Sequence, residues 1–103
     1  MKTVIFKNRM RPVHPGEILR EDYLVSLGMS ANALAKALNI PSARFDDIVR
    51  ERRAVTADTA MRLARYFGGD ARSWLNLQAA YDLRAAEIRN AKRIKREIAA
   101  ASA

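Results

Sequence analysis

The chain has 103 residues, half of them apolar, with 19 lysines and arginines against 11 acidic residues, for a net charge of +8. That length supports one domain around one modest core, and the lack of cysteine excludes a disulfide framework and a thiolate metal site. No run approaches the ~20 apolar residues of a membrane span, and the opening MKTVIFKNRM lacks the apolar stretch of a signal peptide, so a cytoplasmic protein is expected.

A basic balance of this size suggests nucleic acid, an acidic protein surface or anionic lipid as partner. Its placement is uneven. Lys2, Lys7, Arg9 and Arg11 stand before residue 12 with no acid among them, and Arg84, Arg89, Lys92, Arg93, Lys95 and Arg96 face only Glu87 and Glu97 after residue 83. The surplus therefore lies at the two ends.

Residues 1–13 read as an extended arm, in which Arg9 and Arg11 either enter a neighbouring minor groove or stay solvated. Pro15 suits the first position of a helix over roughly 15–27, where its missing N–H costs nothing, and Glu17 suits the dipole there. His14, just before this start, reads as a capping or packing residue. Ile18, Leu19, Tyr23, Leu24 and Leu27 recur at helical spacing, and Gly28 is the expected left-handed stop. Ser30 then caps a second helix with Leu34, Ala35 and Leu38 inward. Asn39 stands where a left-handed residue is needed. Pro41 or Ser42 opens a third helix with Phe45, Ile48 and Val49 inward. Thr56 caps a fourth, whose Ala60, Leu63, Ala64 and Phe67 follow the apolar helical period until Gly68-Gly69 stops it. Asp70 caps a fifth, with Trp74, Leu77, Tyr81 and Ala85 inward. A thinner stripe of Ile88, Ala91, Ile94 and Ile98 continues it through a basic, alanine-rich extension. The expectation is all-α, five helices, with an arm over 1–13, a helical domain over 14–83 and a helical tail over 84–103.

The stretch from Ser30 to Arg53, SANALAKALNIPSARFDDIVRERR, has the layout of a helix-turn-helix: a small residue at Ala35 where two helices approach and a tolerant one at the turn. Pattern alone leaves an ordinary helical hairpin equally open. Catalysis finds no support. His14 is the single histidine, the adjacent carboxylates Asp46-Asp47 and Glu21-Asp22 diverge on a helix, and no phosphate-cradling glycine loop or metal-ligand cluster is present in the sequence. No cofactor, metal or small-molecule substrate is expected.

Longer motifs shift the balance. HPGEILRE (His14 to Glu21), LGMS (Leu27 to Ser30), LAKALNIP (Leu34 to Pro41), RRAVTADTAMRLARYFG (Arg52 to Gly68) and above all WLNLQAAYDL (Trp74 to Leu83) resemble the HigA-type antitoxins of the Cro and phage-repressor helix-turn-helix superfamily, over about two thirds of the chain. The resemblance implies a lambda-repressor-like DNA-binding domain with a helix-turn-helix over 30–50. It also implies an antitoxin that binds a RelE-like ribonuclease toxin and, as a homodimer, represses its own operon from double-stranded operator DNA. A free-standing transcriptional regulator and a toxin-binding interaction module with little DNA binding remain the competing readings.

The sequence departs from the family pattern in three places. Arg50-Glu51 replaces the usual Asn-Gly after the recognition helix, Asp46 and Asp47 put acid on that helix, and Leu24 and Val49 stand where phage-type relatives pair an arginine with a glutamate. Recognition-helix N-terminal side chains reach base edges, which nominates Ser42, Ala43, Arg44 and Asp47, with Arg44 suited to guanine. Lys36, Arg50, Arg52 and Arg53 are nominated for phosphates, which position without specifying. Ser30 is read as a cap. Tyr23, Phe45, Tyr66, Phe67, Trp74 and Tyr81 fall on apolar stripes, so they are read as core or dimer contacts. Trp74, Leu77 and Tyr81 are the candidates for facing a second subunit. The basic tail has three open roles: toxin, DNA phosphates or a solvated extension.

Overall fold

The computed structural model describes residues 11–101, so Arg9 and the rest of the expected arm before Arg11 lie outside the described residues. Among the described residues there are five helices. Helix α1 is continuous from Pro15 to Leu27 and is built of an α-helical start (Pro15–Ile18), a π-wound middle (Leu19–Leu24) and a last turn (Val25–Leu27). Then come α2 (Ala31–Leu38), α3 (Ser42–Val49), α4 (Ala57–Phe67) and α5 (Ala71–Glu97).

The ends of these helices follow local chemistry. Ser30, Thr56 and Asp70 each accept a hydrogen bond from the backbone N–H three residues on, so each satisfies one orphan donor of its helix. Gly28 and Asn39 adopt the left-handed region at φ 62 and 56, and Gly68 and Gly69 both lie at φ 87. At Gly28 the N–H bonds Val25 and the next N–H, of Met29, reaches back to Leu24. Asn39 and Ile40 repeat that pair on Lys36 and Ala35. This double bond closes a helix only when the residue at its centre is left-handed.

One core joins all five helices: Leu19 and Leu24 of α1, Leu34, Ala35 and Leu38 of α2, Phe45, Ile48 and Val49 of α3, Ala60 and Leu63 of α4 and Trp74 of α5, with Ile40 and Val55 from connecting loops. Each large side chain fully removed from water contributes about 1.5–3 kcal/mol. Ala35 is fully buried, as the close approach of α2 and α3 demands. Tyr23 lies between Phe67 and Trp74, with ring centroids 4.7 and 5.5 Å away, and fastens α1 to α4 and α5.

One inward expectation does not hold. Leu27 is 49% exposed: the π-wound turn before it spaces its hydrogen bonds five residues apart, which rotates the last turn of α1 away from the core. Tyr66 is 45% exposed, with its hydroxyl 3.8 Å from the Met29 sulfur. Trp74 is 6% exposed, a core residue rather than a free face. Leu77 is partly buried against the core, and the Tyr81 ring stands edge-on to His14 at 4.8 Å. Helix α5 runs unbroken past residue 83, and from residue 91 onward every described residue is exposed.

Candidate nucleic-acid interface

Helices α2 and α3 meet through the left-handed Asn39. Arg62 of α4 secures this turn from behind. Its guanidinium donates to the Leu38 and Asn39 carbonyls at 3.1 and 3.4 Å and to the Asp58 carboxylate at 2.8 Å. The carbonyls left open at the end of α2 thus find a donor. The Ser42 hydroxyl, at the first residue of α3, donates to the Asn32 side-chain carbonyl on the first turn of α2.

Helix α3 is held against the start of α1. A methyl group at Gly16 would stand 1.9 Å from the Ile48 carbonyl oxygen, so only glycine permits this approach. The His14 ring fixes the same corner: its Nδ1 accepts the Gly16 N–H at 2.8 Å and caps α1. Because Nδ1 accepts, the folded state holds neutral imidazole. Burial pushes the His14 pKa below its ordinary 6.5; Glu51, Asp82 and the Arg53 backbone pull the other way, while Arg20 adds to the lowering. One turn further along α1, Arg20 donates to the Val49 carbonyl at 2.6 Å and to the Glu51 carboxylate at 3.1 Å.

That arginine–glutamate tie is an addition to what the sequence suggested, not a change at Leu24 and Val49. The positions of Leu24 and Val49 are apolar and buried, as read, and a separate Arg–Glu link joins α1 to the turn after α3 through Arg20 and Glu51. The missing glycine is explained at the same place. Glu51 itself takes the left-handed conformation, φ 66, with its N–H on Ile48 and the Arg52 N–H on Asp47 at 3.0 and 2.7 Å. A side chain there costs about 1–2 kcal/mol, against which stand the two capping bonds and the Arg20 contact.

The nominated DNA residues are placed as follows. Lys36, Ser42 and Ala43 are exposed. Arg44 is not fully outward: it is half-buried on the flank of α3, its Nε enclosed and without a partner, and its charge helps hold the Asp58 carboxyl, paired first with Arg62, below the usual range. Arg50, Arg52 and Arg53, which follow α3, are exposed and gathered on the acids of that helix. Arg50 meets Asp46 at 3.0 Å, Arg52 meets Asp47 at 2.9 Å and Asp46 at 3.6 Å, and Arg53 meets Asp47 at 3.8 Å. Asp47 is thus a partner of arginines in the free protein. Arg11, the first described residue, forms a two-pronged pair with Glu17 at 2.9 Å, which lowers the Glu17 pKa.

Sequence reasoning missed Gly16, Arg20, Asn32, Arg62 and Gln78. Gln78 is buried and accepts the Val55 N–H at 2.8 Å, tying the loop after α3 to α5. One of the five carried a signal. A glycine in the first turn of a helix, away from any left-handed position, is unfavourable by propensity, so a close neighbour is its natural explanation.

A short helix carried on a buried base, its N-terminal side chains outward and its turn clamped from behind, defines the helix-turn-helix class of small bundles. Comparison with known proteins agrees. The chain is 65% identical over 81 residues to virulence-associated protein I of Dichelobacter nodosus, covering 79% of this chain and 75% of that one. It is 34% identical to antitoxin HigA-1 of Vibrio cholerae over 75% of this chain and 72% of that protein. The antitoxin HigA of Pseudomonas aeruginosa, solved with the higBA promoter, superposes with a TM-score of 0.83 at 48% identity, over 86% of this chain and 97% of that one. No family model matches the chain. The chain belongs to the HigA antitoxins, within the Cro and phage-repressor type of helix-turn-helix proteins. Among the described residues, no helix is long and apolar enough to cross a membrane.

Proposed function

We propose that this chain is the antitoxin of a type II toxin–antitoxin pair, which neutralises a RelE-like ribonuclease toxin and represses its own operon by binding operator DNA as a homodimer. The observation that carries the reading is the seating of α3: Gly16 against Ile48 and Arg20 on Val49 and Glu51 fix one side of the helix, leaving Ser42 and Ala43 exposed at its start. The likeness to a HigA solved on promoter DNA supports it.

In this reading Ser42, Ala43, Arg44 and Asp47 meet base edges, and Lys36, Arg50, Arg52 and Arg53 meet phosphates. Two-fold symmetry sets half-sites about one DNA turn, ~34 Å, apart, and affinity falls steeply with salt as counterions are released. The test is a gel shift with the DNA upstream of the chain's own gene against random duplex. Arg44→Ala weakens operator binding by about 1–3 kcal/mol and random binding far less; equal losses on both remove base reading by Arg44. Co-expression with an adjacent short basic reading frame tests the toxin half. If no complex forms and no ribonuclease activity is suppressed, the chain is a free-standing regulator.

A further inference from the structure

Asp46 and Asp47 are the awkward residues of α3, because a carboxylate beside a duplex is repelled by phosphate. Their surroundings explain their presence. Three arginines that suit phosphate contact are each within 4.0 Å of one of these two carboxylates, and Arg52 touches both. The arrangement is built into the backbone. The left-handed turn at Glu51 folds the chain back over the last turn of α3, and the Arg52 N–H bonds the Asp47 carbonyl, which brings the Arg52 guanidinium onto the Asp47 side chain. The third acid of the segment, Glu51, is engaged by Arg20 of α1. Asp46 and Asp47 are therefore the two carboxylates gathered on Arg50, Arg52 and Arg53.

The geometry points to a built-in competitor: Asp46 and Asp47 occupy the phosphate-seeking arginines that follow the recognition helix and thereby set how strongly the protein tells its operator from other DNA. This rests on the DNA-binding reading above and goes beyond it. To reach phosphates, Arg50, Arg52 and Arg53 must leave the two carboxylates. Exposed ion pairs are weak, so the exchange is easy, but it strands two negative charges against the duplex. What those charges then meet depends on sequence. Cytosine N4 and adenine N6 offer amino donors in the major groove, whereas guanine O6 and N7 and thymine O4 offer only acceptors. Each base pair carries one such donor, so its position decides: a half-site that sets its amino groups beneath the freed carboxylates accommodates them, and one that sets guanine or thymine acceptors there leaves them repelled. The acids thus weaken binding to most DNA and spare the matching site.

The experiment measures binding of the full chain by fluorescence anisotropy across a salt series, on the duplex upstream of its own gene and on a scrambled duplex of the same length and composition. Three proteins are compared: the wild type, Asp46→Asn/Asp47→Asn, and Glu87→Gln/Glu97→Gln, which removes the same charge from α5. Asparagine near a helix C-terminus relieves an unfavourable dipole contact, so the fold is retained, and circular dichroism checks it. The α3 variant is expected to bind scrambled DNA about tenfold or more tighter while its operator affinity changes far less, so the ratio of the two falls about tenfold. Its salt slope on scrambled DNA steepens by ~0.9 for each arginine released to phosphate. The single change Asp47→Asn moves the ratio in the same direction by a smaller factor. The α5 variant leaves the ratio where it was. A ratio within about twofold of wild type in the α3 variant, or an equal fall in the α5 variant, overturns the proposal. A wild type that binds both duplexes equally sinks the DNA-reading proposal and this one together, whereas discrimination that survives loss of the carboxylates sinks this one alone.

Discussion

Helix α5 is two different objects on one axis. Its first half is part of the core: Trp74 and Gln78 are buried, Leu75 and Leu77 pack on the core, and Tyr81 braces His14. Its second half leaves the bundle, with Ile88, Ile94 and, just past its end, Ile98 all exposed. That half must stand on local terms. Ala85, Ala86 and Ala91 favour helix, Arg84–Glu87 and Arg93–Glu97 pair along it at 3.7 Å, and Lys95 and Arg96 suit the negative end of the dipole. A short isolated helix is marginal in water, so its last turns are the first expected to fray. The difference teaches that a continuous apolar period announces a helix without saying what covers it.

Three measurements break or sharpen this contrast. The largest effect belongs to the packed half: Trp74→Ala lowers the stability of the chain by about 3–5 kcal/mol, seen as a lower urea midpoint. A loss near zero would place Trp74 outside the cooperative core. Between the extremes is pH. The unfolded chain takes up a proton at His14 near pH 6.5, but the folded chain resists it, because the charged ring is buried and its Nδ1 is committed to Gly16. Stability is therefore complete above about 6.5 and declines as pH falls from there through the lower folded value. His14→Asn, which keeps a capping oxygen and does not titrate, flattens that decline in a series of urea melts; an unchanged slope would assign it to other groups. The smallest effect is on the tail, where Ile94→Ala changes stability by less than about 0.5 kcal/mol. A cost approaching that of Trp74 would mean the tail is covered in solution, and the contrast would vanish.

Local chemistry was legible in the sequence and distant chemistry was not. Ser30, Thr56 and Asp70 as caps, and Gly28 and Asn39 as left-handed stops, could be read because each acts within a few residues of itself. The inward stripe of α3 was legible for the same reason. Leu27 misled because helical spacing assumes α-winding, and α1 is π-wound just before it. Arg20 on Glu51, Arg62 on the α2 carbonyls and Gln78 on Val55 join residues more than 20 positions apart. Nothing in their own neighbourhoods marks them. Most of the residues nominated for DNA are exposed, as read, but Arg44 and Asp47 are half-buried, and nothing in the sequence marked several of them as already engaged with one another. Only the left-handed turn at Glu51 brings Arg52 and Arg53 back onto Asp47, and family habit put a glycine there.

The close seating of Gly16 beneath Ile48 also bears on who yields when protein and duplex meet. With backbone against backbone at that corner and Arg20 bolted across the end of α3, the helix has little room to tilt or slide. Adjustment on binding then falls to the DNA. Base steps that bend and twist easily would be favoured even where no side chain touches them, so this protein's choice of site would depend in part on the flexibility of the double helix itself.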